Sequence, residues 1–503
     1  MMHKTKETLG AGGGNILFVT YFFPPCGGSG VLRVVRFVKY LRRFGWTPFV
    51  LTVDERDIEK LVYGAITVDR SYMDIAASTH VLRTRLVRPS YVVFSLLKGL
   101  VSIPSAVRRL FGGNSSGRSR RVETGRAPAG GKGGAPADAS REENRRKTDA
   151  KGYYSQGVGP VRKLLFELIL IVDQIFEWTP FAVISGIRFV RKCKIDVICS
   201  SSPPWGVHIA AFVLKRLCGT KWVMDLRDPF YAIEMESVKT KESPRIVRMF
   251  YRFMERIFMR NADVVICNCN EIKEYYRSKY RSSRFEVVTN GFDPDDFPAF
   301  KPEACAEDRT EICYIGELYP KIRTPDAFLE ALASLLKREP AIAGAISVRI
   351  LGASAYLESK AFRGLIKKLG IEALVRCRPY VPHREAIDAM IGADVLLLLQ
   401  PHRSTNYQVP AKLYEYIATG NPMIAIAPKG SATFNLIRRY KLGLVSDTAD
   451  RTSIERSIRA AVEGTLPVPT MESIAYFSSE AVAGRFAGII DGLLEKQRYN
   501  TSG

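Results

Sequence analysis

Hydrophobic positions along the chain follow two periods. Residues 15–20 (Asn15-Ile16-Leu17-Phe18-Val19-Thr20) form an apolar run that reads as a buried strand. After a Pro/Gly loop, Val31, Val34, Val35, Val38 and Leu41 recur at helical spacing up to Gly45, which predicts a helix over 31–44. Residues 48–53 are again a strand. Strand, helix, strand is a βαβ unit, so a parallel sheet wrapped by helices is expected. The pattern resumes with strands predicted at 196–201, 222–226, 262–268 and 285–289, and a helix at 208–218. A second series predicts strands at 312–315, 346–351, 374–377, 395–399 and 423–427, with helices at 326–337, 361–369 and 384–390. A last helix is predicted over 477–494. Two α/β series with no long linker between them predict two facing Rossmann-like domains, with ligands at the carboxyl ends of the strands.

Composition changes this picture in three places. A length of 503 residues suits two or three domains, and the net charge of +23 implies an anionic partner: nucleic acid, a phosphate-rich ligand or an anionic membrane. Residues 112–152 are rich in Gly, Ser, Ala, Pro, Arg and Lys and lack aromatics, so a disordered basic insertion is expected there. Its flanks, 83–111 and 160–194, mix apolar and basic residues and read either as helices on the domain's own core or as stretches that lie on a membrane. The nine cysteines show no framework and behave as small hydrophobes, which suits a reducing compartment. Lys4 and Lys6 before Ile16–Phe23 imitate a signal peptide, but Pro24-Pro25-Cys26-Gly27-Gly28 follows with no cleavage pattern. No stretch is read as reaching the ~18 apolar residues of a spanning helix, and 164–172 is the most lipid-like segment.

Several motifs carry candidate chemistry. Val409-Pro410-Ala411-Lys412-Leu413-Tyr414-Glu415 predicts a helix start with Pro410 at the first helical position. The free N–H groups and positive end of such a helix suit a diphosphate, and Lys412 adds a full charge. Glu415 lies three residues on, on the same face, where a carboxylate can accept from both hydroxyls of a ribose; an ordinary Lys–Glu helix pair is the competing reading. Gly27-Gly28-Ser29-Gly30 approaches a dinucleotide fingerprint, but the third glycine of G-x-G-x-x-G falls at Arg33, which argues against a dehydrogenase. Asp225-Leu226-Arg227-Asp228 follows a strand end. Asp228 or Asp225 could orient an acceptor hydroxyl as the catalytic residue, and Arg227 could hold an acceptor phosphate; a buried Asp–Arg pair that fixes the loop accounts for the same residues. His208, beside Ile209 and Phe212, reads as core packing. Asp293-Pro294-Asp295 imitates a metal-binding D-x-D, but capping by an aspartate is the simpler role, and no metal site is expected.

Taken in order, these pieces resemble the GT-B glycosyltransferases, specifically family 4. The resemblance rests on Tyr21-Phe22-Phe23-Pro24-Pro25-Cys26-Gly27-Gly28, Ser200-Ser201-Ser202-Pro203-Pro204, Asp225-Leu226-Arg227-Asp228-Pro229 and Thr289-Asn290-Gly291-Phe292-Asp293. It continues in Tyr314-Ile315-Gly316-Glu317-Leu318-Tyr319, Lys412-Leu413-Tyr414-Glu415-Tyr416 and Gly420-Asn421-Pro422. It implies an α/β GT-B fold: an acceptor-side domain over 1–298, a nucleotide-sugar domain over 299–470, and a C-terminal segment, 471–503, crossing back to the first. It implies retaining transfer from a nucleotide-sugar donor to a lipid-linked or glycan acceptor in surface-polysaccharide synthesis, with no metal or other cofactor. Donor contacts would fall on Gly316, Arg323 (with Lys321 as competitor), Tyr380, Val381, Lys412, Tyr414 and Glu415, and an acceptor or phosphate loop on Gly27, Gly28, Ser29 and Arg227. One position departs from the family: Tyr407 stands where a second glutamate, eight residues before Glu415, contacts the donor sugar, so Asn406, Tyr407 and Gln408 become the sugar-side candidates. The expected location is cytoplasmic, on the inner face of an anionic membrane, with no nucleic-acid partner. An epimerase on the same fold would rearrange a nucleotide-sugar without an acceptor, and a nucleic-acid-binding protein would prefer DNA to anionic liposomes.

Overall fold

The computed structural model describes residues 13–27, 29–60, 69–87, 89, 160–229, 244–297, 309–319, 323–352, 356–378, 381, 383–403 and 406–501. Two parallel sheets carry them. The first has strands β1 Gly14–Val19, β2 Trp46–Val53, β3 His80–Thr84, β4 Val197–Ser202, β5 Lys221–Leu226, β6 Val264–Cys267 and β7 Phe285–Val287, in the order β3-β2-β1-β4-β5-β6-β7. The second has β8 Thr310–Ile315, β9 Ile346–Leu351, β10 Val375–Arg378, β11 Val395–Leu399, β12 Met423–Ile426 and β13 Leu444–Ser446, in the order β10-β9-β8-β11-β12-β13. The central strands β4 and β11 are buried along their whole length, which is why they read as unbroken apolar or small-residue runs. Strand order reverses between β1 and β4 and between β8 and β11, and the carboxyl ends at such reversals open crevices.

Local chemistry sets the element ends. The first helix, Ser29–Tyr40, tightens into a 3-10 turn, Leu41–Phe44, and stops at Gly45, whose φ of +81° is a left-handed conformation that favours glycine. Ser359 and Ser431 cap their helices by accepting from Phe362 N and Phe434 N. Asn421 Nδ2 holds the carbonyls of Met390, Ile391 and Ala393 at 2.8–3.0 Å and so closes the end of the His383–Gly392 helix.

The stretch Glu167–Lys192 corrects one expectation, because by length and composition it suffices to cross a bilayer. The chain breaks it into two helices, Pro160–Phe176 and Thr179–Lys192, at a buried corner. There the Trp178 indole donates to Thr84 Oγ1 at 2.8 Å and the Tyr21 hydroxyl donates to Glu177 Oε1 at 3.1 Å. Gly186 lets the second helix lie directly on Leu214 and Leu51, so this half is a core helix of the first domain.

The C-terminal helix, Ser479–Thr501, crosses back to the first sheet as expected and runs seven residues beyond the predicted end at 494. Phe486 stacks on Phe37 at 4.6 Å, and the Trp46 indole donates to Asp491 at 3.0 Å. The expected domain boundary at 298, the insertion at 112–152 and most of its leading flank lie outside the described residues.

Candidate functional site

At the reversal of the second sheet, β8 ends in Tyr314-Ile315-Gly316, facing the start of the Ala411–Thr419 helix. Pro410 is the residue before this helix, with extended backbone (ψ 138°), one position earlier than the sequence predicts. Its carbonyl accepts from Leu413 N at 3.0 Å, and the helix closes on left-handed Gly420. Lys412 does not form the ordinary pair with Glu415. Its ammonium donates to the Tyr314 hydroxyl at 3.0 Å and to the Ile315 carbonyl at 2.9 Å, 4.2 Å from the centre of the Tyr314 ring. Gly316, at φ +130°, leaves room for this: a Cβ there would meet Lys412 Cε at 3.1 Å and its ammonium closer still.

Two cations meet here. Desolvation by burial, then the charge of Arg323, push the Lys412 ammonium down to about 7, against the smaller pull of Glu415 and Glu317. Arg323 is tethered by paired backbone hydrogen bonds with Tyr319 at 2.8 and 2.9 Å, and its buried Nε has no hydrogen-bond partner among the described residues. The Tyr314 phenol is raised by burial, and the nearby Arg323 guanidinium works against that rise. Among the described residues nothing hydrogen-bonds or ion-pairs with the Glu415 carboxylate. A lysine held near neutrality beside an arginine, at a helix N-terminus, suits an anion that would restore the full charge.

The other predicted donor residues are placed unevenly. Tyr414 is fully buried, with its ring 5.6 Å from Phe477, so it belongs to the domain junction. Val381 is buried, whereas Tyr380 and Lys321 lie outside the described residues. Tyr407 reaches across to the first domain: its ring meets Tyr275 edge-on at 5.8 Å, and its carbonyl accepts from Cys269 Sγ at 3.6 Å. Gln408 is anchored through its carbonyl by Gln400 Nε2 and Thr433 Oγ1.

On the first sheet, Asp225 is engaged as a buried anchor, the alternative the sequence left open. Its carboxylate accepts from Arg33 Nη2 at 2.8 Å, from Arg33 Nε at 3.0 Å and from Ser201 Oγ at 2.8 Å. The arginine of the pair is Arg33, where a dinucleotide fingerprint would have its third glycine. Sequence reasoning missed its role, although a basic residue set directly between Leu32 and Val34 in an apolar helix was a signal. Arg227 clamps backbone instead of pairing with that aspartate: Nε donates to the Ser202 carbonyl at 2.7 Å, Nη2 to Pro203 at 2.9 Å, and Nη1 to Gly30. Asp228 is half-buried, and desolvation raises its carboxyl above the usual range against the pull of Arg227. Gly27 precedes the first helix, Ser29 begins it, and Gly28 lies outside the described residues. His208 is a core residue: its Nδ1 contacts Ser200 Oγ at 2.8 Å, and burial pushes it down to about 3. Asp293 caps the Pro294–Asp296 turn through Asp295 N, as expected, and also accepts from the Tyr40 hydroxyl at 2.6 Å. Among the described residues no group of three or more His, Cys, Asp or Glu is placed to hold a metal ion.

Two family models match in tandem: Glycosyltransferase Family 4 over residues 149–296 and Glycosyl transferases group 1 over residues 296–478. Among curated proteins, the chain is similar to D-inositol 3-phosphate glycosyltransferase of Nocardioides sp., 28% identical over 247 residues, covering 44% of this chain and 52% of that protein. The same-named protein of Geodermatophilus obscurus is 28% identical over 221 residues, covering 41% and 47%. The chain thus spans about half the length of the curated relatives it matches. Among solved structures, sucrose-phosphate synthase from Thermosynechococcus elongatus aligns over 97% of this chain and 99% of that one, with a TM-score of 0.52 and 14% identity. An α,α-trehalose-phosphate synthase from Burkholderia xenovorans aligns over 94% and 99%, with a TM-score of 0.52 and 10% identity. At these identities the likeness is one of fold.

Proposed function

For a chain that belongs to the GT-B-fold glycosyltransferases, we propose that it moves a sugar from a nucleotide-sugar donor to a hydroxyl of a lipid-linked or glycan acceptor, with retention of configuration. The observation that carries this reading is the convergence of Lys412 and Arg323 on Tyr314 at the start of the Ala411–Thr419 helix, with the Glu415 carboxylate unengaged one turn on. In this reading the departing diphosphate is neutralised by Lys412, Arg323 and the helix N–H groups. Glu415 accepts from the ribose hydroxyls and fixes the nucleoside. The Asn406–Gln408 loop contacts the sugar. On the facing domain, Asp228 orients the acceptor hydroxyl, and burial raises its carboxyl above the usual carboxylate range, which makes it a better proton acceptor than an exposed aspartate.

An anionic membrane is the proposed place of work. The Pro160–Phe176 helix exposes Leu165, Leu168, Ile169, Val172 and Phe176, and the Arg245–Asn261 helix exposes Ile246, Met249 and Phe253. The two pack together through Ile171, Val247 and Tyr251. Arginines at 245, 252, 256 and 260 are exposed on the second helix. Apolar residues beside cationic ones fit the interface of a cytoplasmic leaflet, where a lipid-linked acceptor would lie.

A thermal-shift screen of nucleotide-sugars tests the donor site. One of them should raise the Tm of the full chain, and Glu415→Ala should abolish most of that rise. A full shift retained by Glu415→Ala would remove the donor from this crevice.

A further inference from the structure

Below the crevice, a cavity of about 30 Å3 sits where both domains and the crossing helix meet. Its walls include Arg33 and Arg36 from the first helix, Thr289 and Asn290 from the junction loop, Ala411 from the start of the nucleotide-side helix, and Ser479 from the start of the C-terminal helix. Among the described residues no carboxylate lines it. Three buried polar atoms of these walls have no hydrogen-bond partner among the described residues: Arg36 Nε, Thr289 Oγ1 and Ser479 Oγ. Thr289 is 8% exposed and Ser479 3%, so bulk water does not serve them.

The acceptors nearby are already engaged. Arg33 Nη1 donates to the Thr289 carbonyl at 2.9 Å and to Asn290 Oδ1 at 3.0 Å, and Arg36 Nη1 donates to the Gly291 carbonyl at 2.5 Å. A water bound here could give its own hydrogens only to the Thr289 and Ser479 hydroxyls, whereas a guest that only accepts leaves both hydroxyls and Arg36 Nε free to donate. A guest that only accepts fits better. Arg33 pairs with Asp225 at 2.8 Å and Arg36 with Asp296 at 3.3 Å, so the matching field comes from the positive ends of two helices, of 9 and 23 residues, and from the unpartnered donors. The volume suits one monatomic anion or about two waters. We propose that this cavity is a binding site for a halide-sized anion, which bridges the first helix, the junction loop and the crossing helix and so stabilises the joint between the domains.

The test measures the Tm of the full chain in sodium chloride or bromide against sodium gluconate at equal ionic strength, since gluconate is too large to enter. A saturable rise confined to the halides is expected. Thr289→Val and Ser479→Ala each remove one hydroxyl donor at nearly constant volume, and each should raise the half-saturating halide concentration roughly tenfold. Equal shifts in halide and gluconate, or variants that respond like the parent, overturn the proposal. If a variant does not fold, crystals of the unaltered chain grown in bromide decide: an anomalous peak between Arg36, Thr289 and Ser479 supports the site, and water density without one overturns it.

Discussion

Lys412 shows how far a single residue could be read. Its charge and its place at a helix start were visible in the chain, but its contact with Tyr314 was not, because the two are 98 positions apart. The structure also lowers its ammonium to about 7, chiefly through burial and then through Arg323. The sign of the consequence follows. Between about 7 and the ordinary lysine value of about 10.4, the unfolded chain holds a proton here that the folded chain lacks, so the stability of the ligand-free protein contributed by this group rises with pH across that window. A bound diphosphate favours the charged form, so nucleotide binding at pH 8 should take up a fraction of a proton. Calorimetry in two buffers of different ionisation heat measures this uptake, and Lys412→Gln should abolish it. Equal uptake in parent and variant would place the proton elsewhere.

Among the elements, long runs of one period were legible and mixed ones were not. The strands at 346–351 and 395–399 match prediction residue for residue: 395–399 is buried throughout, and 346–351 is buried at every position but Arg349. Short strands such as β13, with three residues, carry too little pattern to find. The Arg245–Asn261 helix was missed because arginines interrupt its buried positions Val247, Tyr251 and Phe258. Its other face carries the membrane prediction. Met249 is 60% exposed and Phe253 59%, so replacing both by Asp should leave the fold within about 1 kcal/mol. Sedimentation with vesicles containing an anionic phospholipid should then fall by about tenfold or more, from lost apolar insertion and added like charge. Unchanged sedimentation would exclude this face.

At the scale of the whole molecule, Arg33 is the tie that order along the chain hides. It joins the first helix to Asp225 at the end of β5 and to the carbonyls of Val288 and Thr289 at the domain junction, and its side chain is 4% exposed. Arg33→Leu would strand a buried carboxylate and should cost about 3–5 kcal/mol, read as a fall in denaturation midpoint. Adding Asp225→Leu should recover much of that loss. A single variant as stable as the parent would show that Asp225 is not held by this pair.

The chain alone determined the two parallel α/β units, the last helix and the helix start around Lys412, because strand and helix periods and Gly or Pro punctuation act over a few residues and need no distant partner. Only the tertiary structure decided which polar residues anchor loops and which are gathered at the start of the Ala411–Thr419 helix. Asp225 and Arg227 are bound up in holding loops, Tyr414 is packed into the junction, and Lys412 lies over Tyr314 with Arg323 nearby over Tyr319. That sorting depends on burial and on partners up to 197 positions away, and local pattern holds no information about either.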